Sequence, residues 1–146
     1  MSNSLKLAVV TGASSGIGAA TATLFANNGY QVIAGARRLD RLQALAATNP
    51  NIEVHELDVT NQDSVDNFVK ALNGRVVDVL INNAGGAFDS SSVLDSDPAI
   101  WTKSYEVNVV GSVRMTKAVA PSMIQNGNGH IVIISSTAGH VAYENG

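Results

Sequence analysis

Several features that would assign the chain to other protein classes are absent from its sequence. It contains no cysteine, which excludes disulfide bonds and thiol chemistry. Charged residues make up only 14% of it, against about 25% in an average soluble protein. The first residues lack signal-peptide architecture, and no apolar run approaches the roughly 18 residues of a membrane-spanning helix. We therefore expect a cytoplasmic protein with no membrane partner.

Clustered positive charge is also scarce. The formal net charge is −3, and the only basic cluster is formed by Arg37, Arg38 and Arg41. This distribution does not predict a nucleic-acid partner, and no ligand pattern predicts a metal. With 146 residues, 45% of them apolar, and no internal repeat, the sequence predicts one domain over 1–146 that can bury a core.

The most informative stretch is a glycine-rich turn near the start of the chain. A nearly continuous apolar run, 5–10, predicts a strand buried on both faces. A helical pattern begins at Ile17 and ends at Gly29, with its spaced positions at Ile17, Ala20, Thr21, Leu24 and Phe25. Between the two lie Gly12, Gly16 and Gly18, in the spacing Gly-x-x-x-Gly-x-Gly.

Each glycine of this turn has a predicted structural role. Gly12 allows a tight turn, Gly16 leaves room for a ligand against the backbone, and Gly18 lets helix and strand pack closely. Exposed N–H groups at the helix start, with the helix dipole behind them, favour a phosphate. Without its flanking strand and helix, the glycine pattern would be weak evidence for phosphate binding, because a plain turn can have the same pattern.

Strand and helix patterns alternate along the rest of the chain. This alternation predicts an α/β fold of the Rossmann type, a doubly wound parallel sheet of order 3-2-1-4-5 with a ligand at the carboxyl ends of the strands. The later helices are predicted at 39–47, 60–72 and 98–125, the last interrupted by Gly111 and Pro121. The later strands are predicted at 31–35, 52–57, 76–81 and 131–134, the last of them buried.

The end of the second predicted strand distinguishes between dinucleotides. A carboxylate there would bind the ribose 2′-OH of NAD, but this chain has Ala36, Arg37 and Arg38. Guanidinium groups bind a 2′-phosphate in fork geometry. The alternative is that the arginines are merely a solvated basic helix start.

The turn Thr11-Gly12-Ala13-Ser14-Ser15-Gly16-Ile17-Gly18 resembles the cofactor turn of the short-chain dehydrogenases/reductases. The resemblance implies NADP(H) as cofactor. Arg37 is the first candidate for binding its 2′-phosphate and Arg38 the second, and Ser14 would assist. The implied contacts within the turn are Gly12, Ser14, Ser15, Gly16, Ile17 and Gly18.

Two further segments are similar to cofactor contacts of that family. Asp58-Val59 is similar to its adenine-side contact, although a turn or a helix cap is an alternative. Asn82-Asn83-Ala84-Gly85 matches its Asn-Asn-Ala-Gly motif, and a plain turn is again an alternative, because asparagine side chains bond nearby backbone. The implied cofactor contacts are Asn82, Ala84 and Gly85.

Two catalytic positions of the family can be placed. The segment 129–139 resembles its fifth strand and serine loop, which implies that Ser136, rather than the neighbouring Ser135, binds the substrate oxygen. A serine pair capping a strand end is the alternative. Asn108 lies where the family has its helix asparagine, which holds a water in the proton relay. A mid-helix asparagine otherwise faces solvent or weakens the helix.

The family's proton donor is missing, because no Tyr-x-x-x-Lys occurs in the sequence. In the family this tyrosine follows the serine by about a dozen residues, which lies past Gly146; Tyr143 is only seven residues on. The resemblance thus covers about the N-terminal three-fifths of a family member, truncated before the last strands. A chain ending there would leave the fifth strand as an unpaired apolar edge.

The resemblance implies an NADP(H)-dependent oxidoreductase that interconverts an alcohol and a ketone or aldehyde by hydride transfer. Its partners would be a small alcohol or carbonyl substrate and further copies of the chain, as a dimer or tetramer through the helix 98–125. The alternatives are a catalytically inactive dinucleotide-binding module that acts with a partner chain, and a purely structural scaffold.

Overall fold

A five-stranded parallel sheet forms the centre of the computed structural model, which describes residues 5–141. The strand order is β3-β2-β1-β4-β5, which confirms the predicted order. Tyr143 lies outside the described residues. The strands are β1 (Leu7–Thr11), β2 (Gln31–Ala36), β3 (Ile52–Glu56), β4 (Val79–Asn82) and β5 (His130–Ile133).

Helices cover both faces of the sheet. One apolar core lies under α1 and α2, and a second lies under α3 and α5. No described helix has the length and apolar character needed to cross a membrane. The helices are α1 (Gly16–Asn27), α2 (Leu39–Ala46), α3 (Gln62–Ala71), α4 (Pro98–Tyr105) and α5 (Gly111–Asn126), with a π-helical turn at Glu106–Val110 and a 3-10 turn at Thr137–Gly139.

Helix α1 packs on the sheet through small residues rather than large ones. Its buried residues are Gly18, Ala22 and Ala26, whereas Ile17 and Leu24 are 62% and 63% exposed. The predicted face was therefore wrong. A side chain at position 18 would collide with the backbone of the preceding turn, so the helix can approach only through small residues.

The predicted helix over 98–125 changes its hydrogen-bond register before Gly111 rather than at it. Five residues, Glu106–Val110, form the π-helical turn between α4 and α5. Gly111 is buried against Val59, whose Cγ2 would lie 2.6 Å from a Cβ at that position. Contrary to the prediction, α5 continues through Pro121.

Strand β5 differs most from expectation. It pairs with β4 in parallel, yet all of its residues are exposed rather than buried. Ile133 is 59% exposed and Ile131 is 41% exposed. Within the described residues β5 is an edge strand, so its apolar side chains lack the cover that the sequence pattern predicted.

Candidate functional site

The glycine turn between β1 and α1 combines left-handed backbone with open space. Gly12 and Gly16 have φ values of +66° and +56°, a region that favours glycine. A Cβ at Gly12 would lie 2.8 Å from the Cα of Ala84, whereas one at Gly16 would meet nothing within 4 Å. Gly12 thus serves packing, and Gly16 leaves backbone accessible.

The N-terminus of α1 is not capped by its own N-cap residue. Ser15 has extended backbone and makes no side-chain capping bond. By contrast, Asn61 caps α3 through the Ser64 N–H, and Asp97 caps α4 through the Ala99 N–H. The first N–H groups of α1 are therefore available to an anion, which the helix dipole also favours.

Arg38 lies on this turn. Its Nη2 donates to Ser14 Oγ at 2.9 Å and to Ser15 Oγ at 2.8 Å, while its Nε donates to Ser14 Oγ at 3.2 Å. The structure therefore brings Ser14, Ser15 and Arg38 together. The Arg37 guanidinium, by contrast, makes no hydrogen bond among the described residues, so its N–H donors are available to a ligand.

The Asp58 carboxylate closes a turn after β3. Its Oδ1 accepts from the Thr60 N–H at 2.9 Å and from the Thr60 hydroxyl at 2.7 Å. Burial alone would raise the pKa of Asp58, but the two Thr60 hydrogen bonds and the positive charges of Arg37 and Arg114 lower it overall. The turn alternative is thus realised, while the adenine-side contacts of Asp58 and Val59 stay a prediction.

Two residues that the sequence analysis did not select join β1 to the loop after β4. The Thr11 hydroxyl donates to the Ile81 carbonyl at 3.3 Å and accepts from the N–H groups of Asn83 and Ala84 at 3.0 and 2.9 Å. The Asn83 amide donates to the carbonyls of Thr11 and Gly12 at 2.9 and 3.3 Å. Polar residues at the ends of neighbouring strands were the signal that could have identified them.

The Asn82 side chain lies on the face of the sheet that α5 covers. It is 3% exposed, and its Nδ2 donates to Thr116 Oγ1 of α5 at 3.1 Å. Its Oδ1 is buried with no hydrogen-bond partner among the described residues. The side chain therefore ties β4 to α5, and its role toward a cofactor, like that of Ala84, stays a prediction.

Asn108 clamps the loop after β4. Its Oδ1 accepts from the Gly86 N–H at 2.9 Å, and its Nδ2 donates to the Gly86 carbonyl at 3.0 Å and to Ser104 Oγ at 3.1 Å. A Cβ at Gly85 would collide with Asn108 Oδ1, which explains that glycine. Asn108 is partly buried in the π-helical turn, a feature often found at functional sites.

Ser136 lies just beyond β5 and is exposed. Its Oγ accepts from the Ala138 N–H at 3.2 Å and caps the 3-10 turn. Because β4 and β5 are parallel, their carboxyl ends lie at one edge of the sheet. Ser136 and the loop that Asn108 clamps therefore share that edge, and the catalytic role of Ser136 stays a prediction.

Comparison with protein families gives a match over nearly the whole chain. Residues 6–146 match the family described as short chain dehydrogenase. The NADP-dependent 3-hydroxy acid dehydrogenase YdfG of Salmonella typhi is 38% identical over 143 residues, which cover 96% of this chain and 58% of that protein. An oxidoreductase of Staphylococcus saprophyticus, SSP1627, is 39% identical, covering 94% of this chain and 57% of that one.

Solved structures give the same result. A serine dehydrogenase complexed with NADP+ superimposes with a TM-score of 0.91 at 34% identity, covering 95% of this chain and 57% of that one. An actinorhodin polyketide ketoreductase with NADPH has a TM-score of 0.89 at 31% identity, covering 95% and 56%. The chain thus spans less than two thirds of the length of these relatives.

Proposed function

Because the chain belongs to the short-chain dehydrogenase family, we propose that the protein is an NADP(H)-dependent oxidoreductase that interconverts an alcohol and a ketone or aldehyde. The proposal rests on the glycine turn. Its backbone is accessible at Gly16, and the Ser15 side chain does not cap the N-terminus of α1. A dinucleotide pyrophosphate fits such a place, where backbone N–H groups and the helix dipole act together.

The arginines beside the turn support the phosphorylated form of the cofactor. Arg38 already uses its Nε and Nη2 on Ser14 and Ser15, so it shapes the turn and adds positive charge. Arg37, which follows β2 directly, would be the main partner of a 2′-phosphate, since a guanidinium binds phosphate through two parallel hydrogen bonds. No carboxylate occupies 36–38 to repel that phosphate.

The residues at the carboxyl edge have separate proposed roles. The cofactor, when bound, supplies or accepts a hydride. Ser136 would donate a hydrogen bond to the substrate oxygen from its exposed position after β5. Asn108 would fix the Gly85–Gly86 backbone through the carboxamide clamp and so shape the substrate side of the site. No Tyr-x-x-x-Lys pair, which would supply the proton donor, occurs in the 146 residues.

The alternative function is a dinucleotide-binding module without its own catalysis that acts with a partner chain. The relatives described above are longer than this chain; the match with YdfG, for example, covers 58% of that protein. Oxidoreductase activity is therefore proposed for a complete protein, and dinucleotide binding for the described domain. Turnover of small ketones with NADPH separates the two functions.

We also propose that copies of the chain associate through α4 and α5. Large apolar side chains recur every four residues along α4, the π-helical turn and α5, and each is substantially exposed. Such a stripe is typical of a protein–protein interface, and light-scattering mass measurements test it. The residues are Trp101 at 59%, Tyr105 at 62%, Val109 at 43% and Val113 at 49% exposure.

Fluorescence titration with NADPH and NADH tests the cofactor proposal. We expect NADPH to bind at least about tenfold more tightly than NADH, because only NADPH offers the 2′-phosphate. Arg37→Glu should remove that preference and leave NADH affinity nearly unchanged. Arg41→Glu is the matched control, with the same charge change at an exposed position of α2. Equal affinity of the unaltered protein for both dinucleotides would contradict the proposal.

Ser136→Ala tests the catalytic assignment in the complete protein. We expect turnover to fall by about 10² or more, because the substrate oxygen loses a donor, while NADPH affinity changes little. Ser135→Ala is the neighbouring control. Equal losses of turnover and NADPH affinity in the Ser136 variant would show that the serine supports the fold of the loop rather than the reaction.

A further inference from the structure

The position of Asn108 depends on the π-helical turn. An α-helix advances about 100° per residue, and a π turn accommodates one additional residue. Moving from π to α register would therefore rotate Asn108 relative to α5 and take its carboxamide away from Gly86. Whatever stabilises the π register also keeps Asn108 in contact with Gly86.

One ion pair matches the π register. Glu106 begins the turn, and its Oε1 lies 2.6 Å from Arg114 Nη1 in α5. Residues eight positions apart in an uninterrupted α-helix lie about 80° from alignment. The extra residue of the π turn brings positions 106 and 114 onto the same side, so the contact favours the register in which it is seen.

Two further contacts hold the same segment. Arg114 Nη1 also donates to the Val59 carbonyl at 3.2 Å, which fixes the start of α5 to the loop after β3. The Ser112 hydroxyl donates to the Asn108 carbonyl at 3.1 Å. Arg114 is 23% exposed and Glu106 is 37% exposed at the side chain, so the pair is partly sheltered from solvent.

We propose that Glu106 and Arg114 are positioning residues that hold the π-helical turn and thereby keep the Asn108 carboxamide on Gly86. Neither residue touches the glycine turn or Ser136 in the structure. The effect of the pair on turnover rests on the proposed oxidoreductase function. Its effect on the Gly86 hydrogen bond does not, because that bond is present in the chain alone.

Amide hydrogen exchange of Gly86, followed by NMR, tests the proposal directly. Glu106→Gln and Arg114→Gln should each accelerate exchange of this amide about tenfold, because the clamp opens more often. The double variant should exchange about as fast as either single variant, since both disrupt one contact. Lys117→Gln is the control, with the same loss of charge at an exposed position of α5, and it should leave Gly86 unchanged.

A conservative variant separates positioning from loss of the fold. Arg114→Lys keeps the positive charge opposite Glu106, so Gly86 exchange should stay within about threefold of the unaltered protein. Unchanged Gly86 exchange in both glutamine variants would overturn the proposal. Equal acceleration of the Leu80 amide in the sheet centre would also overturn it, because the change would then be global.

Steady-state kinetics of the complete protein give the second readout. Glu106→Gln should lower kcat about tenfold and change KM for NADPH less than about twofold, because a misplaced loop affects orientation more than cofactor binding. A larger change in KM than in kcat would overturn the positioning role. If the unaltered protein bound no NADPH, the proposed function would fail, yet Gly86 exchange would still decide the role of the pair.

Discussion

The two edge strands of the sheet, β3 and β5, expose side chains of opposite character. On β3, the exposed positions Glu53 and Glu56 carry charge, and Glu53 accepts from Arg75 at 2.7 and 3.1 Å. On β5, the exposed positions Ile131 and Ile133 are apolar. Charged side chains at an edge discourage pairing with other chains, whereas an exposed apolar edge invites it.

The composition of each edge strand indicates what that edge faces. The β3 edge is built to face water, while the β5 edge has the composition of a strand that another segment or chain covers. Ser136 follows β5, so the proposed catalytic serine lies at the apolar edge. Gly16 and Arg38, which belong to the proposed dinucleotide site, follow β1 and β2 and lie nearer the β3 edge.

The largest expected effect comes from truncating matched isoleucines. Ile33 in β2 is fully buried, so Ile33→Ala should lower the free energy of unfolding by about 3 kcal/mol or more. Ile133→Ala should cost less than about 1 kcal/mol, because Ile133 is 59% exposed. Urea unfolding of the 146-residue chain measures both. Similar losses would show that β5 is covered in solution.

The strand order was predictable from the sequence because alternating strand and helix patterns leave few right-handed connections. The turn was also predictable, because its geometry requires glycine at Gly12, Gly16 and Gly18. The packing face of α1 was not, because it depends on how closely Gly18 approaches the backbone of a neighbouring turn.

Long-range polar contacts could be predicted from the sequence only as polar residues at the ends of neighbouring strands, not as specific hydrogen bonds. Thr11 and Asn83 are 72 residues apart, and nothing local in either segment shows that their side chains meet. Arg38 is likewise 24 residues from Ser14. The Asn82–Gly85 segment was recognised as a motif, yet its bond to Thr116 in α5 depends on tertiary packing rather than on pattern.

A smaller effect is expected on self-association. If the β5 edge is open, the chain should associate through β5 as well as through α4 and α5, and Ile133→Lys should raise the dissociation constant of the β5 contact about tenfold by placing a charge there. Sedimentation equilibrium measures the change. Gln43→Lys on α2 adds the same charge at an exposed site and should have no effect. A monomeric unaltered chain would mean that its edge is protected in solution.

The smallest effect concerns the charged edge, and its sign follows from Glu53. The hydrogen bond from Arg75 is the largest influence on the pKa of Glu53 and, together with His55, lowers it despite burial. The stabilisation is therefore complete above the unfolded-state pKa and is lost as pH falls through the lower folded-state pKa. Because the side chains of Arg75 and Glu53 are 34% and 42% exposed, we expect only about 0.5 kcal/mol.

Glu53→Gln should thus destabilise the chain slightly near neutral pH, and the difference from the unaltered protein should shrink as pH falls through the folded-state pKa of Glu53, which lies below its usual value. Chemical unfolding at a series of pH values measures it. Glu56→Gln, on the same strand, is the matched control, because the Glu56 side chain makes no hydrogen bond among the described residues. A difference that grew with acidity would mean that the β3 edge is held by something other than its charges.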